Sequence, residues 1–256
     1  MAAVSNTPLL ISLEGNIGAG KSTLLEKLAE KLSESESEST TSKWVFLREP
    51  VHIWEQIRDA SGATILSKFY ANPTKYAFAF QIMAYTTRLH ELRRLLRENP
   101  NCTGIICERS LEADKHIFAQ MLHDDGTMDD VMYQIYERFF GEYEDELKLN
   151  ATIYVDASAE TCFMRVKSRA RSGESEIPLE YLAKCRAYHE AWLNPVQLAE
   201  NGETFDLEKG EDKTMKILHL DTNPIATFED DLETGLEDPG NIWLNRIEAF
   251  LETLCV

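Results

Sequence analysis

Chemistry is concentrated first at Gly15–Thr23, which reads GNIGAGKST. Gly15, Gly20, Lys21 and Ser22 stand at the spacing of a P-loop, directly after an apolar run of Leu9, Leu10, Ile11 and Leu13. Glycines let such a loop curl so that its N–H groups, here those of Asn16, Ile17, Gly18 and Ala19 among them, form a nest for phosphate oxygens. A helix opening at Lys21 would turn its positive end toward the same anion. Lys21 can reach the outer phosphates, and the Ser22 hydroxyl, followed by Thr23, suits the shell of a Mg²⁺ ion. An ordinary Gly-rich turn has no need of the Lys-Ser pair. The stretch therefore implies a nucleoside triphosphate site.

Two further sets of ionisable residues follow short apolar runs, at the strand ends where open α/β sheets place their ligands. Trp44 to Leu47 leads to Arg48-Glu49-Pro50, and Gly104 to Cys107 leads to Glu108-Arg109-Ser110. Glu49 could accept a proton from a substrate hydroxyl, although on position alone a surface strand-end glutamate fits equally well. Glu108 and Arg109 could complete a Mg²⁺ site and hold a substrate hydroxyl or the moving phosphoryl group; the other reading is a structural salt bridge. A third set, Arg165 and Arg169 at i, i+4 with Arg171 just beyond, offers planar forks suited to phosphate. Ser172-Gly173-Glu174 breaks that helix and Ile177 to Tyr181 starts another. The segment reads as a lid over phosphates in preference to an exposed basic helix.

The elements that must position these groups are read from periodicity. Leu24, Leu25, Leu28 and Leu32 predict a helix from Lys21 to about Ser33, ending in a polar Ser/Glu/Thr tract at 33–42 read as a flexible loop. Pro50 turns the chain into a helix containing Trp54 and Ile57. Two helical patterns over 63–98 are separated by Asn72-Pro73. The second, Tyr76 to Arg97, carries an apolar stripe that fits core packing or a dimer face, with Gln81 and Arg88 as polar intruders. Asp114, Lys115 and Phe118 fall on a further helix, and another spans about Asp129 to Glu142. Thr152–Val155 and Lys216–Leu220 are the fourth and fifth strands, the latter ending at Asp221. Ala199–Thr214 reads as a surface loop and Trp243–Leu254 as a closing helix. The alternation predicts one α/β domain over 1–256, a five-stranded parallel sheet covered by helices on both faces.

Composition narrows the partners. The 256 residues carry a net charge of −18, which argues against nucleic acid, whose phosphates need a basic footprint. The acidic runs near 124–130, 142–146 and 229–238 read as solvated faces. The five cysteines form no C-x-x-C pair, so reduced thiols inside the cell are expected. No apolar run is long enough to span a membrane, and the residues before Leu9 do not read as a presequence. Cytosol or nucleus is expected, not the mitochondrion.

In order, Gly15–Thr23, Glu49-Pro50-Val51 followed by Trp54, Phe80-Gln81, Glu108-Arg109-Ser110 and Arg165/Arg169/Arg171 resemble the deoxyribonucleoside kinases. The resemblance covers about residues 9–198 and the Leu220-Asp221 strand end; the 33–42 tract and the 199–215 segment fall outside it. It implies a P-loop kinase fold with a helical lid at about 165–178, ATP as phosphoryl donor, Mg²⁺, a small deoxynucleoside acceptor and a homodimer formed near the 76–97 stripe. Glu49 then stands as general base for the 5′-hydroxyl and Arg109 holds that oxygen. Lys21, Arg165, Arg169 and Arg171 stand as the phosphate clamp with Asp221 near the donor, and Ser22 and Glu108 as the Mg²⁺ partners. Tyr70 and Glu174 match the positions for the 3′-hydroxyl. Gln81 and Asp114 match base readers, Phe118 stacks on the base, and Trp54 and Phe69 line the pocket. The trio Ala84, Arg88 and Asp114 resembles the deoxycytidine and deoxyguanosine kinase branch. Deoxycytidine and purine deoxynucleosides are expected as substrates in nucleotide salvage, and thymidine as a poor one.

Two rival classes remain. A nucleoside monophosphate kinase shares loop, sheet and lid but needs extra cations for the acceptor phosphate, where this chain offers Glu49, Gln81 and Asp114. A non-catalytic nucleotide-binding protein needs no base at the acceptor.

Overall fold

The computed structural model of the protein describes residues 7–36, 43–143, 146–169, 177–193, 204–208, 214–230 and 235–255. Five parallel strands form the predicted sheet: β1 (Leu9–Glu14), β2 (Trp44–Leu47), β3 (Gly104–Glu108), β4 (Ala151–Asp156) and β6 (Thr214–Asp221). Their order across the sheet is β2-β3-β1-β4-β6, with a sixth strand, β5 (Thr204–Glu208), antiparallel on the outer edge of β6. That strand corrects the reading of 199–214 as a surface loop. Its TFDLE run is too short and too polar to announce itself, and it is fixed by pairing with β6 in the register Thr204↔Leu218 to Glu208↔Thr214.

Alternation along the strands divides the core. Ile11, Leu13, Ile106 and Ile153 face one side and pack with Leu24 and Leu28 of α1 (Lys21–Glu36) and Ile247 of α10 (Pro239–Leu254). Leu10, Ile105 and Cys107 face the other and pack with Phe80, Tyr85 and Leu89 of α4 (Pro73–Glu98) and Tyr136 and Phe140 of α7 (Asp130–Gly141). Phe80, Ala84 and Leu92 of the 76–97 stripe are thus core residues.

Local departures have local causes. Helix α1 runs past Ser33 to Glu36, with the Ser33 hydroxyl donating back to Glu30 O, 2.7 Å away, in the preceding turn. The remainder of the tract, 37–42, lies outside the described residues. Helix α2 (Val51–Trp54) stops before Ile57, whose carbonyl accepts from Ile65 N at the start of α3 (Ile65–Ala71). After β3, α5 (Leu111–Ala113) passes through a π-helical turn, Asp114–Ala119, into α6 (Gln120–Asp124). Helices α8 (Ala159–Arg169) and α9 (Leu179–Leu193) flank the predicted lid, whose central residues 170–176, with Arg171 and Glu174, lie outside the described residues.

Candidate active site

The carboxyl ends of the parallel strands open on one cavity of about 510 Å³, within the range of small-molecule sites. One end is floored by the phosphate loop. Gly15 holds φ +150° with Val155 O only 2.3 Å from where a Cβ would sit, so no side chain fits there. Asn16 is buried and braces the loop, donating through Nδ2 to Leu182 O of α9 at 2.8 Å. Lys21 Nζ rests on the carbonyls of Gly15 (3.0 Å) and Asn16 (2.8 Å). Burial, and next the Arg109 charge, lower the Lys21 ammonium to about 8 against the opposing pull of Glu108 and Glu49. Ser22 Oγ donates to Glu108 Oε1 at 2.7 Å, joining the loop to the end of β3.

Above this floor two carboxylates, Glu49 and Asp114, meet two guanidiniums. Arg88 of α4 is buried and donates to Asp114 through Nε (3.0 Å) and Nη2 (3.3 Å), to Glu108 O (2.9 Å) and to Glu49 Oε1 (3.2 Å). Arg109 Nε stands 3.4 Å from the same Glu49 oxygen, and its guanidinium lies 4.7 Å over the Phe118 ring. Burial works to raise Glu49, but Arg109, Arg88 and Lys21 outweigh it and hold the carboxyl below its ordinary range. Burial pushes Asp114 upward against Arg88. Arg109 adopts φ 65°, a left-handed conformation rare for a side-chain-bearing residue and concentrated at functional sites.

The far end of the cavity is apolar. Phe69 and Phe80 stack at 4.8 Å and 9°, Trp54 meets Phe80 edge-on at 5.4 Å, and the Trp54 indole N–H donates to Thr87. Gln81, Ala84 and Tyr70 complete this wall, with Tyr70 edge-on to Tyr181 at 6.4 Å. The structure therefore brings together, on one cavity, the residues Ile17 to Thr23, Glu49, Trp54, Phe69, Tyr70, Gln81, Ala84, Arg88, Glu108, Arg109, Asp114, Phe118, Arg165 and Arg169. Arg165 lies with its guanidinium on three carbonyls, those of Ala19 (3.2 Å), Thr222 (2.8 Å) and Pro224 (3.3 Å). Gly15 and Asn16 brace the loop behind this wall, and Asp221 is not brought in. It is exposed and accepts from Asn223, while its neighbour Thr222 faces the cavity and donates to Ala19 O at 3.2 Å.

Sequence reasoning passed over Thr222, Tyr181, and the Phe228–Trp243 pair whose rings meet edge-on at 6.5 Å beside the phosphate loop. Tyr181 opens α9 in the stretch already marked as the lid's end. Phe228 sits at φ 62° in a polar segment with no periodicity, which left no pattern to find it by.

Comparisons with known proteins agree with this geometry. Human deoxycytidine kinase is 30% identical over 263 residues, spanning 95% of this chain and 91% of its own. A fowlpox virus protein named as a probable deoxycytidine kinase is 35% identical over 224 residues, 86% of this chain and 81% of its own. Mitochondrial deoxyguanosine kinase of Xenopus laevis is 27% identical over 263 residues, 95% and 90% of the two chains. The family description Deoxynucleoside kinase matches residues 11–230, which take in β1 from Ile11, the other four parallel strands whole and almost all of the cavity wall. The chain belongs to the deoxynucleoside kinase family and is a phosphoryl-transferring enzyme of the P-loop kinase fold.

Proposed function

We propose that this kinase transfers the γ-phosphoryl group of ATP to the 5′-hydroxyl of a deoxyribonucleoside in nucleotide salvage, with deoxycytidine and the purine deoxynucleosides preferred over thymidine. One observation carries the reading: Glu49 projects into the cavity between Arg88 and Arg109, on the acceptor side of the phosphate loop. Held below its ordinary range, its carboxyl is ionised at neutral pH and can take the hydroxyl proton. A neutral hydroxyl is the acceptor that a carboxylate tolerates; an acceptor phosphate would be repelled by it.

The remaining roles follow from place for the described residues, and from the resemblance alone for Arg171 and Glu174. Arg109 holds the attacking oxygen in line, and Lys21, Arg165, Arg169 and Arg171 neutralise the phosphates. Ser22 and Glu108 present a hydroxyl and a carboxylate 2.7 Å apart at the mouth of the loop. This hard-oxygen pair fits Mg²⁺, which takes one or two protein oxygens beside those of a phosphate and supplies charge neutralisation there. The stacked Phe69–Phe80 wall suits the plane of a base, Gln81 its hydrogen-bonding edge, Phe118 its other face, and Tyr70 with Glu174 the 3′-hydroxyl. The Arg88–Asp114 pair fills the space beside the base that the thymine methyl would need. The names of the human, viral and Xenopus relatives point to the same deoxycytidine and deoxyguanosine class.

A homodimer in the cytosol completes the proposal. Val131, Ile135 and Phe139 of α7 are exposed at i, i+4, i+8, an apolar stripe beside α4 that a second copy would cover. Among the described residues the cysteines are all free, as a reducing compartment leaves them, and no helix there is long and apolar enough to cross a membrane. The test is ATP·Mg²⁺ turnover with deoxycytidine, deoxyadenosine, deoxyguanosine, thymidine and deoxycytidine monophosphate in parallel. Activity on the first three with little on thymidine is expected. Activity on the monophosphate alone would overturn the acceptor assignment.

A further inference from the structure

Strand β1 ends on a buried carboxylate. Glu14 is 0% exposed, directly ahead of Gly15 at the root of the phosphate loop, and its Oε1 accepts from Ser110 N at 2.9 Å. That N–H belongs to the turn in which β3 ends. The β1/β3 register closes at Leu13↔Glu108, and Arg109 N still donates to Leu13 O at 3.0 Å. Arg109 then leaves the strand at φ 65°, which swings the next N–H onto Glu14. The Ser110 hydroxyl in turn accepts from Ala113 N at 3.0 Å and caps α5. The two N–H groups flanking the left-handed residue are thus held by consecutive residues of β1. A left-handed arginine is strained relative to the ordinary conformation and persists only where neighbours over-determine it.

We propose that Glu14 is a positioning residue for phosphoryl transfer: its carboxyl pins the Ser110 N–H and so holds the Arg109 guanidinium at Glu49, tying the root of the phosphate loop to the arginine turn. The inference rests on the reading of Arg109 as the group that holds the acceptor oxygen. The carboxyl does this as a hydrogen-bond acceptor rather than as a counter-charge. Burial pushes Glu14 upward, opposed first by the Ser110 hydrogen bond and only then by the Arg109 charge, and Glu14 Oε2 and Arg109 Nη1 are each buried without a hydrogen-bond partner, so no hydrogen bond joins those two atoms.

The test sets reach against charge. E14Q keeps an acceptor oxygen at the same reach and removes the charge; E14D keeps the charge and withdraws the acceptor from Ser110. With saturating ATP·Mg²⁺ and deoxycytidine, E14D should lose about tenfold or more in kcat with KM for ATP within about threefold, while E14Q stays within about threefold of the parent in kcat. R109K serves as the reference. In its background E14D should add less than about threefold, because the two residues act as one unit. Equal losses in E14Q and E14D, a larger loss in E14Q, or no loss in either would overturn the proposal. If E14D does not purify folded, E14Q decides: a tenfold fall in its kcat refutes the acceptor role. R109K at parental kcat would instead refute the role of Arg109, a failure distinguishable from that of Glu14.

Discussion

Asp114→Ala, alone and combined with Arg88→Met, separates what the buried pair does for stability from what it does for specificity. Arg88 and Asp114 have side chains only 2% and 3% exposed and meet at 3.0 Å. Removing one partner of a buried pair costs about 3–5 kcal/mol, because the other is left charged and dry. Here Arg88 would keep Glu49 at 3.2 Å and Glu108 O at 2.9 Å, which places Asp114→Ala at the lower end, about 3 kcal/mol. For a chain of this length that corresponds to a fall of about 6–12 °C in Tm. The double variant removes both charges and should recover part of the loss, less than a clean apolar replacement gives, because Glu49 and Glu108 O lose their Arg88 donor. Urea unfolding with linear extrapolation reads the difference. The same double variant vacates the space beside the base, so thymidine relative to deoxycytidine should gain about 10–200-fold in kcat/KM, the worth of one methyl group in a pocket. A midpoint for Asp114→Ala equal to that of the parent would refute the energetic argument. Unchanged thymidine turnover in the folded double variant would refute the steric one.

Glu49→Gln should lower kcat about 10²–10⁴-fold while KM for the deoxynucleoside moves little; turnover surviving within a few-fold would remove the base assignment. Lys21 is depressed to about 8, so it loses its charge as pH rises through that value in the free enzyme. kcat/KM for ATP should fall above about pH 8 with a slope approaching −1, and a flat profile to about pH 9.5 would contradict it. Ile135→Glu on α7 should give a monomer in sedimentation velocity at micromolar concentration, whereas an unchanged dimer would place the interface elsewhere.

The strands that build the site were legible because each is a short, mainly apolar run closed by a charged residue, a pattern that survives without tertiary context. β5 was not, since Phe205 and Leu207 are its only apolar residues and its place depends on pairing with β6. Residue types at the site were legible for the same reason as the strands, but their partnerships were not. Arg88 read as half of a pair with Asp114, and nothing in the spacing announces that it also holds Glu49, 39 positions away. The left-handed Arg109 and the π turn at Asp114–Ala119 are likewise invisible in composition. Both are backbone states that the local sequence does not favour and that surrounding contacts impose.

On the role proposed for Arg165, donor binding would have the character of an exchange. Arg165 already has carbonyl partners on the phosphate loop and on the segment after β6, so its side-chain freedom is restricted before any ligand arrives. Turning toward a triphosphate would swap neutral acceptors for charged ones, a gain of bond strength by roughly a factor of two with little new ordering. It would also release the carbonyls of Thr222 and Pro224, in the segment that runs on to Phe228, whose ring meets Trp243 of α10 edge-on. Donor occupancy would then be felt as slack at the carboxyl-terminal helix, on the side of the sheet away from the acceptor.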